Sequence, residues 1–399
     1  MMEPSGVETG RFSNKVMSMS PSATLAITAK AMELKRKGVD VVSLSAGQPD
    51  FPTPEPIIQA AIKALKEGKT RYTATAGIPE LREEIASKYT ARRGVSFDAG
   101  QVLVSCGAKH SLSNLLEVAI QPGDVVVIPK PHWVSYPEII RRVGGVPFPV
   151  GRDGMLTGAE DVAKAVEVGA KGLLINSPCN PTGLTYDREQ YEELADVVSK
   201  TGLWVITDDI YEDLIYEGKE SLNILNVRPE LSSRVAVVSG VSKTYAMTGW
   251  RIGYSIGPEK WLKLATTVQS HTTSNACSVS QYAALAALSG RAENEKRSML
   301  ERFEKRRTLI CDLLENVEKV SFAVPDGAFY VFVDVSSHPL GDDSSEFCRR
   351  LLEEEALAVV PGIAFGTEGY VRVSFAASEE DITEGIDRLR RFVSRGDEA

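Results

Sequence analysis

Short apolar runs separated by stretches of helical spacing dominate the middle of the chain. The runs Val102–Ser105, Val125–Pro129, Gly172–Ser177, Trp204–Thr207, Val235–Ser239 and Ile252–Ile256 read as strands, and Leu112–Ile120, Tyr136–Val143 and Arg188–Lys200 as helices between them. Strands that are apolar on both faces and joined by helices imply a mostly parallel sheet covered on both sides. This α/β domain is expected over residues 46–289. Outside it the pattern changes. Thr24–Lys37 has the spacing of an amphipathic helix stopped by Gly38, and Arg291–Val317 reads as a long, highly charged helix. Beyond Gly327 come a strand (Phe329–Val335), a helix (Ser345–Glu354), a strand (Tyr370–Phe375) and a last helix from Ser378. The two chain ends, residues 16–45 and 290–399, are therefore expected to build a small α+β domain together, with residues 1–15 as a flexible arm.

A chain of 399 residues exceeds what one hydrophobic core usually supports, which agrees with two domains. The net charge of −9, with basic residues dispersed, argues against a nucleic-acid partner, since that binding needs a clustered positive face. Five cysteines without a CxxC pair give no zinc or redox signature, so no metal is expected and reduced thiols of a cytoplasmic protein fit best. No apolar run approaches the roughly 20 residues needed to span a bilayer, and the first residues lack the apolar core of a secretion signal. A soluble protein with no membrane partner is expected.

The candidate chemistry gathers where the apolar runs end. Lys243 closely follows Val235–Ser239 and lies in the stretch SKTYAMTGWRIGY, which also carries Arg251. A lysine at a strand's end, between Gly240 and Gly249 and with an arginine close behind, is suited to forming a Schiff base and holding a phosphate. Asp208 follows Trp204–Thr207, so it is delivered to the sheet edge where open α/β sheets bind ligands; Asp209 is its rival. Asn180 lies in NSPCNPTG, whose prolines and glycine restrain the backbone around it. In SCGAKHSL a strand turns through Gly107 into a helix, aiming the amides of Gly107, Ala108 and Lys109 at one anion site. Arg372 sits mid-strand in YVRVSFAAS, an expensive place for a charge without an anion. GVSKT lacks the glycine of a nucleotide-binding Walker lysine, Ser242 standing in its place, and no GxGxxG follows a strand. Taken singly, each motif has a bland reading: a solvated lysine, a turn carboxylate, a Pro-Gly turn, a core aromatic.

Together, from about Ser18 to Arg391, these motifs resemble the fold-type I, pyridoxal-phosphate-dependent aminotransferases of class I. GIPELRE, AMTGWRIGY and the VPG motif at Pro361 resemble the aspartate and prephenate branch. The resemblance implies a large domain with a seven-stranded sheet, and pyridoxal 5'-phosphate bound to Lys243. It places Asp208 at the pyridine nitrogen, because the family's aspartate stands three residues before the tyrosine that is Tyr211 here. Asn180 and Tyr211 would donate to the ring oxygen and Trp133 would stack on the ring. Gly107, Ala108, Lys109, Arg251 and Ser242 would hold the phosphate; the family often has a serine at the position of Gly240, so one phosphate hydrogen bond is either missing here or comes from Ser242 instead. Tyr72 would reach the phosphate of a neighbouring subunit, making a homodimer with shared sites. Arg372 and Gly47 would take the substrate α-carboxylate, with Trp133 and Asn180 beside it. Lys109 and Thr24 would take the second carboxylate of a dicarboxylic substrate, since HTTSNACSVSQ offers no equivalent of the partner-chain arginine that several relatives use. The implied reaction is transamination of L-aspartate and glutamate with 2-oxoglutarate or oxaloacetate. Prephenate, or neutral and aromatic amino acids, are the alternatives. A β-lyase, a decarboxylase or a cyclopropane-forming synthase would share the cofactor, whereas a non-catalytic module would be expected to lose Lys243, Asp208 or Arg372.

Overall fold

The computed structural model describes residues 12–17, 19, 23–151 and 154–395, with some side chains near the N-terminus, Thr24 among them, outside the description. The expected arm over residues 1–15 falls mostly outside these residues; Asn14–Met17 forms a single helical turn.

Seven strands form the central sheet: Val102–Ser105, Val125–Pro129, Val146–Val150, Ala170–Asn176, Trp204–Asp208, Val235–Gly240 and Gly253–Ile256. By first residue, their order across the sheet is 102, 253, 235, 204, 170, 125, 146. Only Gly253–Ile256 runs antiparallel to its two neighbours; the remaining pairs are parallel. The strands beginning at 102, 235 and 253 are buried throughout, as runs apolar on both faces require. Val146–Val150, with the sequence VPFPV, was not legible as a strand because it carries two prolines. It lies at the sheet edge and pairs, among the described residues, only with Val125–Pro129, a position where proline's missing N–H costs little.

Four of these strands end where the candidate chemistry begins. Ser105 leads into Gly107 and the helix Ala108–Ala119; Asn176 precedes the Asn180 loop; Asp208 is itself a terminal strand residue; and Gly240 lies three residues before Lys243. Parallel strands carry all four ends to the same edge.

A second, antiparallel sheet has the order Val360–Pro361, Tyr370–Ser374, Tyr330–Asp334, Ser321–Phe322. Val42–Ser43 pairs in parallel with Leu357–Ala358, so the two chain ends meet. The helix Glu293–Glu315 turns a stripe inward that includes Phe303, Arg306, Arg307, Ile310 and Leu314, the 3.6-residue spacing read in the sequence. Arg306 on that stripe makes a bidentate pair with Asp50 (2.7 and 2.8 Å) and lies over the ring of Phe51, pinning the loop that contains Gly47.

Beneath the site lies a buried ion cluster. Arg93, 1% exposed at the end of the helix Pro79–Arg93, pairs with Asp209 at 2.9 Å and Glu212 at 2.7 Å. Asn223 also donates to Asp209, while Ser239 and Tyr89 donate to Glu212. Removing the cation would strand Asp209 away from water and leave Glu212 to Arg92 alone (2.7 Å), the expensive way to break a buried pair. Arg93→Met is expected to cost about 3–5 kcal/mol of unfolding free energy, read from the urea midpoint at constant slope. A loss below about 1 kcal/mol would mean the cluster behaves like a solvated surface pair.

Candidate active site

A cavity of about 520 Å³ opens at the shared strand edge, lined by residues of both sheets and of the loop 46–48. Among the described residues Lys109, Lys243, Arg251 and Arg372 all line it, against one carboxylate, Asp208. Four cations around one anion is an arrangement that attracts further negative charge.

Lys243 donates from Nζ to the carbonyl oxygen of Gly47 at 2.6 Å. Its ammonium is pushed down to about 8, first by burial and then by the nearby charges of Arg372 and Arg251. An amine in that range can lose its proton near neutral pH, the condition for acting as nucleophile or base. Gly47, expected to present its N–H to a carboxylate, is thus held through its carbonyl oxygen in this structure.

Asp208 is buried, and burial raises its carboxyl to about 6, opposed by a hydrogen bond from Tyr136 Oη to Oδ2 (2.7 Å) and by the charge of Lys243. Asn176 donates from Nδ2 to the Asp208 backbone carbonyl, and Asn176 Oδ1 accepts from the Asn180 amide, both at 2.8 Å, so one side chain links two candidate loops. The neighbouring carboxylates diverge: Asp208 faces the cavity, while Asp209 turns into the Arg93 cluster. The choice of Asp208 over Asp209 therefore agrees with where the strand end points them.

Arg372 is 2% exposed. It comes from the middle of Tyr370–Ser374, where Phe332 and Val360 are its strand neighbours. It donates to Asn180 Oδ1 at 3.0 Å and to the Ser45 carbonyl at 2.9 Å, and it lies 4.2 Å from the centroid of the Tyr330 ring. Among the described residues its buried Nε has no hydrogen-bond partner, and burial lowers the guanidinium's pKa. Such a cation is stabilised by an anion delivered into the cavity. Because Arg372 occupies the amide oxygen of Asn180, the amide's N–H₂ end is the one left to serve a ligand. Tyr211 reaches the cavity with its hydroxyl 2.9 Å from that of Tyr330.

At the start of the helix Ala108–Ala119, Gly107 has φ 90°, and a side chain there would meet Arg251 Nη2 at 2.4 Å. Gly253 is equally constrained, since a Cβ would lie 2.1 Å from the amide nitrogen of Ala108. These two glycines let the turn and Arg251 pack into one cationic corner. Arg251, with φ 55°, is braced by the carbonyls of Thr248 (2.9 Å) and Cys106 (3.4 Å). Ser242 lines the cavity, as does Lys109, whose ammonium lies 4.8 Å from the centroid of the Trp133 ring and is lowered by burial and by Arg251.

The structure thus brings Gly47, Ala108, Lys109, Trp133, Asn180, Asp208, Tyr211, Ser242, Lys243, Arg251 and Arg372 to one cavity, with Gly107 directly behind it. Tyr72 is not among its lining residues: it is 93% exposed on the surface of its own chain. Thr24 lies in the helix Ala23–Arg36, and its side chain is outside the description. Sequence reasoning missed Tyr136, Asn176 and Tyr330. Tyr136 and Tyr330 lie within apolar segments and read as core, and Asn176 differs from an ordinary strand-end amide only through its partners.

The family model for aminotransferase class I and II matches residues 39–389. An aspartate aminotransferase of Geobacillus stearothermophilus is 42% identical over 389 residues, covering 96% of this chain and 99% of that protein. A probable aspartate/prephenate aminotransferase of Rickettsia felis is 40% identical, with 95% of each chain covered. Among solved structures, the aspartate aminotransferase of Thermus thermophilus with maleate matches with a TM-score of 0.91 at 40% identity, over 96% of this chain and 99% of that one. With its mostly parallel seven-stranded sheet and its cationic cavity at the strand ends, the chain belongs to the class I and II aminotransferases.

Proposed function

We propose that this protein transfers the amino group of L-aspartate or glutamate to 2-oxoglutarate or oxaloacetate, using pyridoxal 5'-phosphate and working as a cytoplasmic homodimer. The observation that carries the reading is the cavity in which Lys243, with its lowered pKa, faces Arg372, Arg251 and Lys109 with Asp208 as the one carboxylate. The donor set suits the cofactor: an amine, a carboxylate for a pyridine N–H, an indole at the wall, and a glycine turn beside an arginine for a phosphate. Bound there, pyridoxal phosphate supplies the electron sink for the substrate's Cα–H bond. Lys243, Asp208, Asn180, Tyr211, Trp133, Ser242, Arg251 and the Gly107–Lys109 amides would hold it.

In this reading Arg372 grips the substrate α-carboxylate through its fork and supplies the charge-assisted hydrogen bonds for which its buried Nε has no protein partner. Lys243 takes the proton from Cα as general base and returns it as general acid. Burial among cations keeps its pKa low enough for both steps. Lys109, and Thr24 if its side chain reaches the cavity, would accept the second carboxylate. The Thermus relative was solved with maleate, itself a dicarboxylate, which supports this substrate class. The division into a large domain (46–289) and a small domain from both chain ends (16–45 and 290–399) belongs to the same reading, since Arg372 and Tyr330 would be brought by one and Lys243 and Asp208 by the other.

Incubation with pyridoxal phosphate should turn the wild-type protein yellow, and it should then transaminate aspartate and glutamate in a panel of donors. Lys243→Ala should stay folded and show no turnover; a colourless wild type that takes up no cofactor overturns the reading. Lys109→Ala should weaken kcat/KM for aspartate far more than for alanine, by about 1.5–3 kcal/mol for a lost charged hydrogen bond. Equal losses for both donors would favour a neutral-substrate enzyme. For the dimer, the exposed Tyr72 is the residue to test. Mixing Tyr72→Phe with Lys243→Ala under subunit exchange should restore activity above the Tyr72→Phe level, because the hybrid has one fully native site. No rise in confirmed heterodimers would assign Tyr72 to its own chain.

A further inference from the structure

Tyr136, 1% exposed at the start of the helix Tyr136–Arg142, is not part of the expected site. It touches two groups that are. Its hydroxyl donates to Asp208 Oδ2 at 2.7 Å, and its ring meets the Trp133 indole edge-on, with centroids 5.4 Å apart and planes at 79°. The other contact to the Asp208 carboxylate, from the Ile210 amide to Oδ1, is 3.4 Å long and therefore weak. Asn176 secures the backbone carbonyl of Asp208 rather than its carboxylate. Among the described residues, Tyr136 is the one close hydrogen-bond donor to that carboxylate.

We propose that Tyr136 is a positioning residue: it keeps Asp208 ionised and aimed into the cavity while bracing Trp133, so that the carboxylate and the aromatic wall form one preset slot for a cationic heteroaromatic ring. The inference rests on the cofactor reading and adds to it a cavity-lining residue that acts through Asp208 and Trp133. Burial of a carboxylate favours its neutral form, and the phenol hydrogen bond works against that. Burial and Asp208 together hold the Tyr136 phenol far above its ordinary range, so it stays protonated and remains a donor. The other groups facing Asp208 are Lys243, Cys179, Tyr211 and Asp209. Lys243 favours the carboxylate, while Asp209, which pairs with Arg93 but whose carboxyl burial raises to about 7, adds a like charge only as it ionises. Loss of the hydroxyl leaves Lys243 and the long Ile210 contact to support the charge, so the carboxyl pKa should rise.

The sign of the effect follows. A protonated Asp208 cannot pair with a pyridinium, so affinity for the cofactor falls as pH drops through the Asp208 pKa, and a raised pKa moves that fall to higher pH. The test is the dissociation constant of pyridoxal phosphate for the apoenzyme between pH 5.5 and 8.5, in wild type, Tyr136→Phe, Asp208→Asn and the double variant. Tyr136→Phe should shift the loss of affinity to higher pH and weaken binding on the order of tenfold below neutrality. In the Asp208→Asn background it should have almost no further effect. Trp133→Phe should weaken binding by a similar factor at every pH. An equal cost of Tyr136→Phe with and without Asp208, a pH-independent cost, or the same pH shift in Trp133→Phe would each reduce Tyr136 to ordinary packing and overturn the inference while the cofactor reading stands. A wild type that binds no pyridoxal phosphate at any pH would instead overturn that reading, and this inference with it.

Discussion

The constraint on which the site depends is electrostatic: among the described residues, four basic side chains converge on one cavity with a single carboxylate among them. In a low-dielectric pocket such an excess is costly unless an anion is supplied or some of the charge is given up. The molecule reflects both responses. Lys243 yields part of its charge through a lowered pKa, and Arg372 retains a buried Nε with no acceptor among the described residues. Arg372 also spreads its charge over the faces of Tyr330 and Phe365. A site assembled this way favours ligands rich in phosphate and carboxylate.

What the fold contributes is convergence. Strand ends at Ser105, Asn176, Asp208 and Gly240 open onto one edge, and the antiparallel sheet brings Tyr330 and Arg372 across the same opening. The loop 46–48 closes another wall, and the Arg306–Asp50 pair fixes it to the helix Glu293–Glu315. Small groups make the approach possible, since any side chain at Gly107 or Gly253 would push the turn before the helix Ala108–Ala119 away from its neighbours. The Arg93 cluster supports the same floor from below, giving Asp209 a structural partner and leaving Asp208 to the cavity. Two adjacent carboxylates are thereby separated in role by which side of the strand end each one faces.

Much of this was legible along the chain because it depends on local order. Unbroken apolar runs and period-3.6 spacing marked the buried strands and the long helices, and residues at strand ends such as Lys243, Asp208 and Gly107 stood out because polar chemistry follows an apolar run there. Arg372 was visible as a charge in the middle of an apolar strand. The strand Val146–Val150 was not, since its prolines are tolerated only at a sheet edge, and edge position is a property of the whole sheet. Tyr136, Asn176 and Tyr330 were hidden for a related reason. Their significance comes from single hydrogen bonds and ring contacts to residues distant in sequence, which no spacing rule encodes. By itself the sequence determined which chemical groups the protein owns and which strand ends carry them. Tertiary packing decided that those groups share one cavity, which carboxylate faces it, and how far burial moves each proton affinity, because desolvation and charge–charge distances exist only once the chain has closed on itself.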